Sequence, residues 1–93
     1  MLDENDPMVH PRVHERHPEI EDGDVLAAWR SALTSAPRMD GTGSWITVGV
    51  DGRGRLLEMV SVMNREGRWL IYHAMTPPSR KTMNELKPAG RKS

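Results

Sequence analysis

The sequence predicts a two-layer α+β domain, in which an N-terminal helix packs on a three- to four-stranded antiparallel sheet and a short C-terminal helix follows. Two observations lead to this fold class. β-Rich runs separated by glycine-bearing turns occupy residues 44–75, and a helical pattern of apolar residues precedes them. Because 93 residues can bury one modest core, we expect a single domain at residues 14–87, flanked by an arm at 1–13 and a basic tail at 88–93.

The arm contains little apolar material and two prolines, which indicates a flexible or extended segment. Near its end, His10, His14 and His17 follow a spacing of four and three residues, which would align them on one helix face and suggests a metal site. Pro11 and Pro18 interrupt that stretch, and the pattern specifies no fourth ligand. We therefore assign no metal or other cofactor, and interpret these histidines as a titrating surface or a nucleic-acid contact.

The first helix is predicted to begin after Ile20, with Asp22 or Asp24 as its N-cap, and to end near Ser35 because Pro37 follows. Apolar residues at steps of three and four form the side that faces the sheet, namely Val25, Leu26, Trp29 and Leu33. We expect Trp29 to be a core residue.

The strands follow as a meander, and Arg38–Asp40 is a candidate short edge strand before it. Strict alternation along the last strand places His73 on the face shared by Trp69, Ile71 and Met75. The segments Gly41–Gly43 and Gly52–Gly54 are interpreted as hairpin turns, because neither opens a helix after a strand as a phosphate-binding loop does. A second helix is predicted at residues 78–87, with Ser79 as a candidate N-cap.

Composition excludes several classes of protein. The chain has no cysteine, so it contains neither a disulfide framework nor a thiolate metal site. It has no apolar run of about 18 residues, and its first residues are acidic, so we expect no membrane span and no signal peptide. These features predict a cytoplasmic protein.

The charge is distributed unevenly although the formal net charge is zero. Residues 1–24 contain eight acids against two arginines, whereas residues 53–93 contain nine bases against three acids. A basic half of this kind suits RNA or an acidic protein partner. The alternative is a solvated surface whose charges balance within the molecule.

The residues best suited to catalysis lie near the ends of the last strands. Metal-independent RNA cleavage needs a base for the 2′-OH, cations for the phosphate and an acid for the 5′-oxygen. His73 suits the base or acid, and Arg80 and Lys81 suit the phosphate; the alternatives are a structural histidine and two solvated charges. Three further arginines, which flank strands and turns, extend a basic groove for the substrate: Arg53, Arg55 and Arg68. Trp45 or Tyr72 can stack one base if its face is exposed.

Four motifs follow one another between His17 and about Glu85: His17–Ile20 before the acidic start of the helix, Trp45–Asp51, Gly54–Val60, and Ile71–Met75 followed by Arg80-Lys81. In order and spacing these motifs resemble the BrnT-type ribonuclease toxins of bacterial type II toxin–antitoxin modules. The resemblance implies a RelE-like fold, cleavage of RNA that blocks translation, and neutralisation by a cognate antitoxin. DNA would be bound only through that antitoxin.

This chain also departs from the family pattern. Members commonly end the last strand with Ser-Ala-Arg, whereas His73-Ala74-Met75 stands here. Matching the family motifs position by position supports His17, His73 and Arg80 as catalytic candidates, with Lys81 beside them. The rival hypothesis is a non-catalytic interaction module, in which the basic C-terminal half and methionine-rich strands form a docking surface.

Overall fold

The computed structural model describes residues 6–86, which form an α+β fold with three helices and a five-stranded mixed sheet. The strands are β1 (Met8–Val9), β2 (Ala32–Pro37), β3 (Trp45–Val50), β4 (Leu56–Met63) and β5 (Trp69–Met75). The helices are α1 (Arg12–Arg16), α2 (Asp22–Arg30) and α3 (Arg80–Glu85). The order of strands across the sheet is β1-β5-β4-β3-β2. The predicted basic tail at 88–93 lies outside the described residues.

The predicted meander is confirmed, because β3, β4 and β5 pair in succession and antiparallel. Gly54 and Gly67 in the two connecting turns have φ of +80° and +81°, a conformation that glycine adopts without steric cost. The strand count was wrong. β2 pairs antiparallel outside β3, and β1 pairs parallel with β5, so the sheet has five strands rather than three or four.

The predicted end of the first helix was also wrong. α2 ends at Arg30, and residues 32–37, part of which was assigned to the helix, form β2 instead. Leu33, expected to face the sheet, is 66% exposed. β2 is held by its backbone pairing with β3 and by a contact of 2.8 Å between the Ser35 and Thr47 hydroxyls. Non-local pairing therefore overrides the local helical periodicity here, and β2 takes the edge position expected of Arg38–Asp40.

Part of the predicted arm lies against the sheet. Met8–Val9 pair with β5, and the backbone N–H of His10 donates to the Ile71 carbonyl at 2.8 Å. The short helix α1 follows and buries Val13 in the core. The first five residues of the arm are outside the described part of the chain.

One face of the sheet is covered by α1 and α2. The core there consists of apolar residues from α1, α2, the loop between these helices, β4 and β5: Val13, Ile20, Val25, Ala28, Leu57, Met59, Ile71 and Ala74. Gly49 on β3 lies against α2 so closely that an added Cβ would lie 1.9 Å from the Ala28 carbonyl oxygen. The close approach of α2 to β3 therefore requires glycine at this position.

A β-bulge in the β4–β5 pair changes which residues share a face. Ser61 pairs with Ile71, and the preceding residue of β4, Val60, pairs with His73, so Tyr72 is the extra residue. His73 therefore lies on the face of Val60, opposite to the face that α2 covers. The predicted alternation, which placed His73 beside Ile71, was wrong because strict alternation contains no bulge.

The second helix is present as α3, shorter than predicted, and begins after Ser79. The Ser79 hydroxyl accepts a hydrogen bond of 3.1 Å from the backbone N–H of Thr82, so the predicted N-cap is confirmed. No helix within residues 6–86 combines the length and apolar character needed to cross a membrane.

Candidate active site

A buried carboxylate on β4, Glu58, connects two later segments of the chain. Its Oε2 lies 2.7 Å from Nε2 of His73 on β5. Its Oε1 accepts a hydrogen bond of 2.8 Å from the backbone N–H of Ser79. The hydroxyl of Thr82, a buried residue of α3, also donates to this carboxylate. Glu58 therefore joins the end of β5 to the start of α3.

The environment of Glu58 keeps it ionised. Burial by itself raises the pKa of Glu58, but the hydrogen bonds from His73, Ser79 and Thr82 outweigh burial and lower the pKa to about 2. An ionised carboxylate only accepts hydrogen bonds, so Nε2 of His73 carries the proton of this contact. In the neutral imidazole of His73, Nδ1 is then the atom that accepts a proton.

A second imidazole lies beside His73. The ring centroids of His17 and His73 are 6.3 Å apart, and the ring planes are nearly perpendicular. His17 directly follows α1, which packs against β5, and this packing brings the His17 ring next to that of His73. Nδ1 of His17 lies 3.5 Å from Oε2 of Glu19. Each histidine side chain is 30% exposed, so both imidazoles are accessible to a substrate.

Arg80 and Lys81 are the first two residues of α3 and are exposed. Neither forms an ion pair with another residue between 6 and 86. Because Arg80 directly follows Ser79, the contact between Ser79 and Glu58 holds the start of α3 close to His73. The structure therefore brings His17, His73 and the start of α3, where Arg80 and Lys81 stand in sequence, close to one end of β5.

Arg53 and Arg55, predicted to bind substrate, lie in the turn between β3 and β4, and acidic side chains hold both of them in place. Arg53 lies 2.9 Å from a carboxylate oxygen of Asp24, and Arg55 lies 3.1 Å from the same oxygen. Nε of Arg55 also donates at 2.7 Å to Asp51, whose side chain is completely buried. These arginines therefore balance the acidic start of α2, which agrees with the alternative interpretation of the charge pattern.

Arg68 is separated from the other two by the length of β4. It lies in the turn between β4 and β5, whereas Arg55 precedes β4, and a strand of this length spans roughly 25 Å. Nη2 of Arg68 donates at 2.9 Å to the backbone carbonyl of Asp6. The three predicted substrate-binding arginines thus do not form one groove.

The remaining histidines have local partners. His14 contacts the Ile20 carbonyl at 2.7 Å and the carboxylate of Asp22, and these two hydrogen bonds raise the pKa of His14. Nδ1 of His10 accepts a hydrogen bond from the backbone N–H of Arg12. Among residues 6–86, no three histidine or acidic side chains are grouped so that they would hold a metal ion.

Sequence reasoning missed Glu58, the residue that organises this site. The available signal was one acidic residue inside the apolar run Leu56–Val60, where a strand in a small sheet buries most of its side chains. A buried charge needs a partner, and the nearest candidate on a neighbouring strand is His73.

Comparison with known proteins did not identify this chain: no family model matches it, and neither a curated protein nor a solved structure matches it.

Proposed function

We propose that this protein is a metal-independent endoribonuclease, with His73 as general base and His17 as general acid. The observation that carries the proposal is the placement of two accessible imidazoles 6.3 Å apart, one of them oriented by the ionised Glu58. An acid and a base on either side of one phosphodiester are the equipment that this reaction requires.

The reaction divides between the two histidines. Nδ1 of His73 takes the proton of a ribose 2′-OH, whose oxygen attacks the adjacent phosphorus and forms a new P–O bond. The bond from phosphorus to the 5′-oxygen breaks, and His17 donates its proton to that oxygen. The products are a 2′,3′-cyclic phosphate and a free 5′-OH. Glu58 does not touch the substrate, and it acts as a positioning residue through His73.

Arg80 and Lys81 complete the site as phosphate-binding residues. Negative charge accumulates on the phosphate oxygens as the new bond forms, and a guanidinium beside them stabilises it. Both side chains are exposed at the start of α3, which Glu58 holds close to His73. Arg53 and Arg55 are assigned a structural role instead, because they already contact carboxylates.

The wider biological role belongs to the same proposal. The resemblance of residues 17–85 to BrnT-type toxins supports a toxin with a RelE-like arrangement that blocks translation in the bacterial cytoplasm. It also supports a cognate antitoxin as the partner, with DNA contacted only through that antitoxin. In the present fold a helix is followed by an antiparallel meander and then by a helix that begins with basic residues. This order is compatible with the proposed role.

Cleavage of a long single-stranded RNA in the presence of EDTA tests the proposal. His73→Gln keeps an amide N–H that can donate to Glu58 but cannot transfer a proton at neutral pH, so we expect a folded protein with at least a hundredfold lower cleavage rate. Arg80→Ala is compared with Arg65→Ala, since both arginines are exposed and Arg65 lies in the distant turn between β4 and β5. Equal cleavage by wild type and His73→Gln would exclude the catalytic assignment.

A docking module is the second candidate function, and exposed methionines favour it. Met39, Met63 and Met83 are 92%, 48% and 46% exposed, and such adaptable side chains suit protein interfaces. A folded wild-type protein that cleaves no RNA but binds an antitoxin-like partner with unchanged affinity after His73→Gln would favour this candidate.

A further inference from the structure

A cleft built from all three tryptophans of the chain lies on the sheet face that α2 covers, beyond the C-terminal end of that helix. Trp69 is its centre: its ring centroid lies 6.0 Å from that of Trp29 and 6.1 Å from that of Trp45. The cleft has a volume of about 300 Å³, a size suited to one small ligand. Nothing in the proposed cleavage reaction uses it.

The cleft is also lined by three residues that carry hydroxyls, each from a different strand: Ser35, Thr47 and Ser61. Ser35 and Thr47 contact each other at 2.8 Å. Ser61 is fully buried on β4, and its Oγ has no hydrogen-bond partner among residues 6–86. A buried hydroxyl without a partner costs free energy, so a ligand that supplies one would be favoured at this position.

These lining residues discriminate between three kinds of ligand. A cation would find aromatic faces but no carboxylate, because the residues lining the cleft in the described chain include no acid. An aliphatic group would cover the aromatic rings but leave the Ser61 hydroxyl without a partner. A heteroaromatic ring has both a flat apolar face for the tryptophans and a polar edge for the hydroxyls, and so fits the whole lining.

We propose that this cleft binds one unstacked nucleobase of a single-stranded RNA. The choice of RNA as the source of the ring rests on the proposed function, whereas the heteroaromatic chemistry follows from the cleft itself. Stacking on aromatic side chains and hydrogen bonding at the base edge are the usual means by which proteins hold single-stranded RNA.

The cleft is separate from the two histidines. Trp69 and His73 lie on β5 four residues apart, which is roughly 13 Å along a strand, and the bulge between them places their side chains on opposite faces. The bound base would therefore lie several nucleotides from the bond that is cut. It would select where on an RNA the protein binds.

Tryptophan fluorescence reports on this cleft directly, because the chain has no tryptophan outside it. Adenosine is the probe, with tetramethylammonium, cyclohexanol and N-acetylphenylalanine amide as representatives of a cation, an aliphatic group and a protein side chain. We expect adenosine to quench the emission saturably and the three other compounds to have little effect. No quenching in the folded protein, or an equal effect of any of the other three, would overturn the proposal.

Two variants and one control make the test specific. Trp45→Ala should weaken adenosine binding about tenfold or more, whereas Leu56→Ala should not change it, although the two residues are similarly exposed at 36% and 39%. Ser61→Ala should weaken binding without lowering Tm, since its hydroxyl has no partner to lose. Unchanged adenosine binding in Trp45→Ala would contradict the assignment.

His73→Gln separates the two proposals. It should abolish cleavage and leave adenosine quenching unchanged. A wild-type protein that binds adenosine but cuts no RNA would refute the ribonuclease and retain the base site, whereas one that cuts RNA but does not bind adenosine would refute the base site alone.

Discussion

Nε2 of His73 lies 2.7 Å from Oε2 of Glu58, and the two residues occupy diagonal positions on neighbouring strands beside a β-bulge. The other oxygen of the same carboxylate binds the backbone N–H of Ser79 at the start of α3. One buried charge therefore determines both the orientation of the imidazole and the attachment of the helix.

Glu58→Gln should reduce RNA cleavage at least tenfold while the protein still folds. A glutamine amide can donate to Nε2 of His73, which moves the ring proton to Nδ1 and removes the base. We expect a loss of about 1–3 kcal/mol in the free energy of unfolding, because one hydrogen bond to a charged group is lost. Steady-state cleavage rates and urea unfolding measure the two effects. The functional claim fails if kcat is unchanged in a variant that shows this loss of stability.

The stability of the protein should depend on pH in a window set by Glu58. Its pKa is lowered from 4.5 to about 2 in the folded state, so its contribution is complete above pH 4.5 and is lost as pH falls toward 2. A difference of this size corresponds to about 3 kcal/mol. Urea unfolding at a series of pH values should show this loss in the wild type and less of it in Glu58→Gln. Parallel curves for the two proteins would contradict the assigned pKa.

Gly49→Ala should destabilise the fold strongly. The new Cβ would lie 1.9 Å from the Ala28 carbonyl oxygen, so α2 must move away from β3 at a cost of about 1–3 kcal/mol or more. Gly52→Ala is the matched control, because an added Cβ there meets nothing within 4 Å. Thermal unfolding of both variants measures the difference. Similar Tm values for the two would show that α2 does not pack as closely as described.

Arg55→Ala should destabilise the protein more than Arg53→Ala. Arg55 is 26% exposed and contacts the completely buried Asp51, whereas Arg53 is 51% exposed. Burial by itself raises the pKa of Asp51, but hydrogen bonds from Arg55 and from the backbone N–H of Arg53 outweigh burial. The pKa of Asp51 is therefore lowered overall. We expect a larger loss in the free energy of unfolding for Arg55→Ala than for Arg53→Ala, whose exposed ion pairs contribute about 0.5 kcal/mol. Urea unfolding measures both.

The same two variants also test the role assigned to these arginines. If they are structural, the cleavage rate of the folded fraction should stay within about twofold of wild type for Arg53→Ala. A drop in RNA binding without a change in stability would restore Arg53 to the substrate site that the sequence predicted.

Features of the fold that depend on residues close together in the chain were predicted from the sequence. The meander follows from β-rich runs and two glycine turns, and the cap of α3 follows from a serine after two prolines. His73 was a candidate from its place in the last strand and His17 from the family resemblance, but the sequence did not predict that the two rings lie side by side. Leu33 shows where this reasoning failed. Its spacing from the preceding apolar residues predicted a helix, but Leu33 belongs to the edge strand β2.

The sequence by itself thus determined the class of the fold, the three central strands and the residue types available for proton transfer. The tertiary structure alone decided that Glu58 lies between His73 and Ser79, and that Arg53 and Arg55 face the acids of α2. The reason is physical. Turn and strand preferences depend on neighbouring residues, whereas the pairing of buried charges depends on strand register, and a single extra residue at Tyr72 turns His73 to the other face of the sheet.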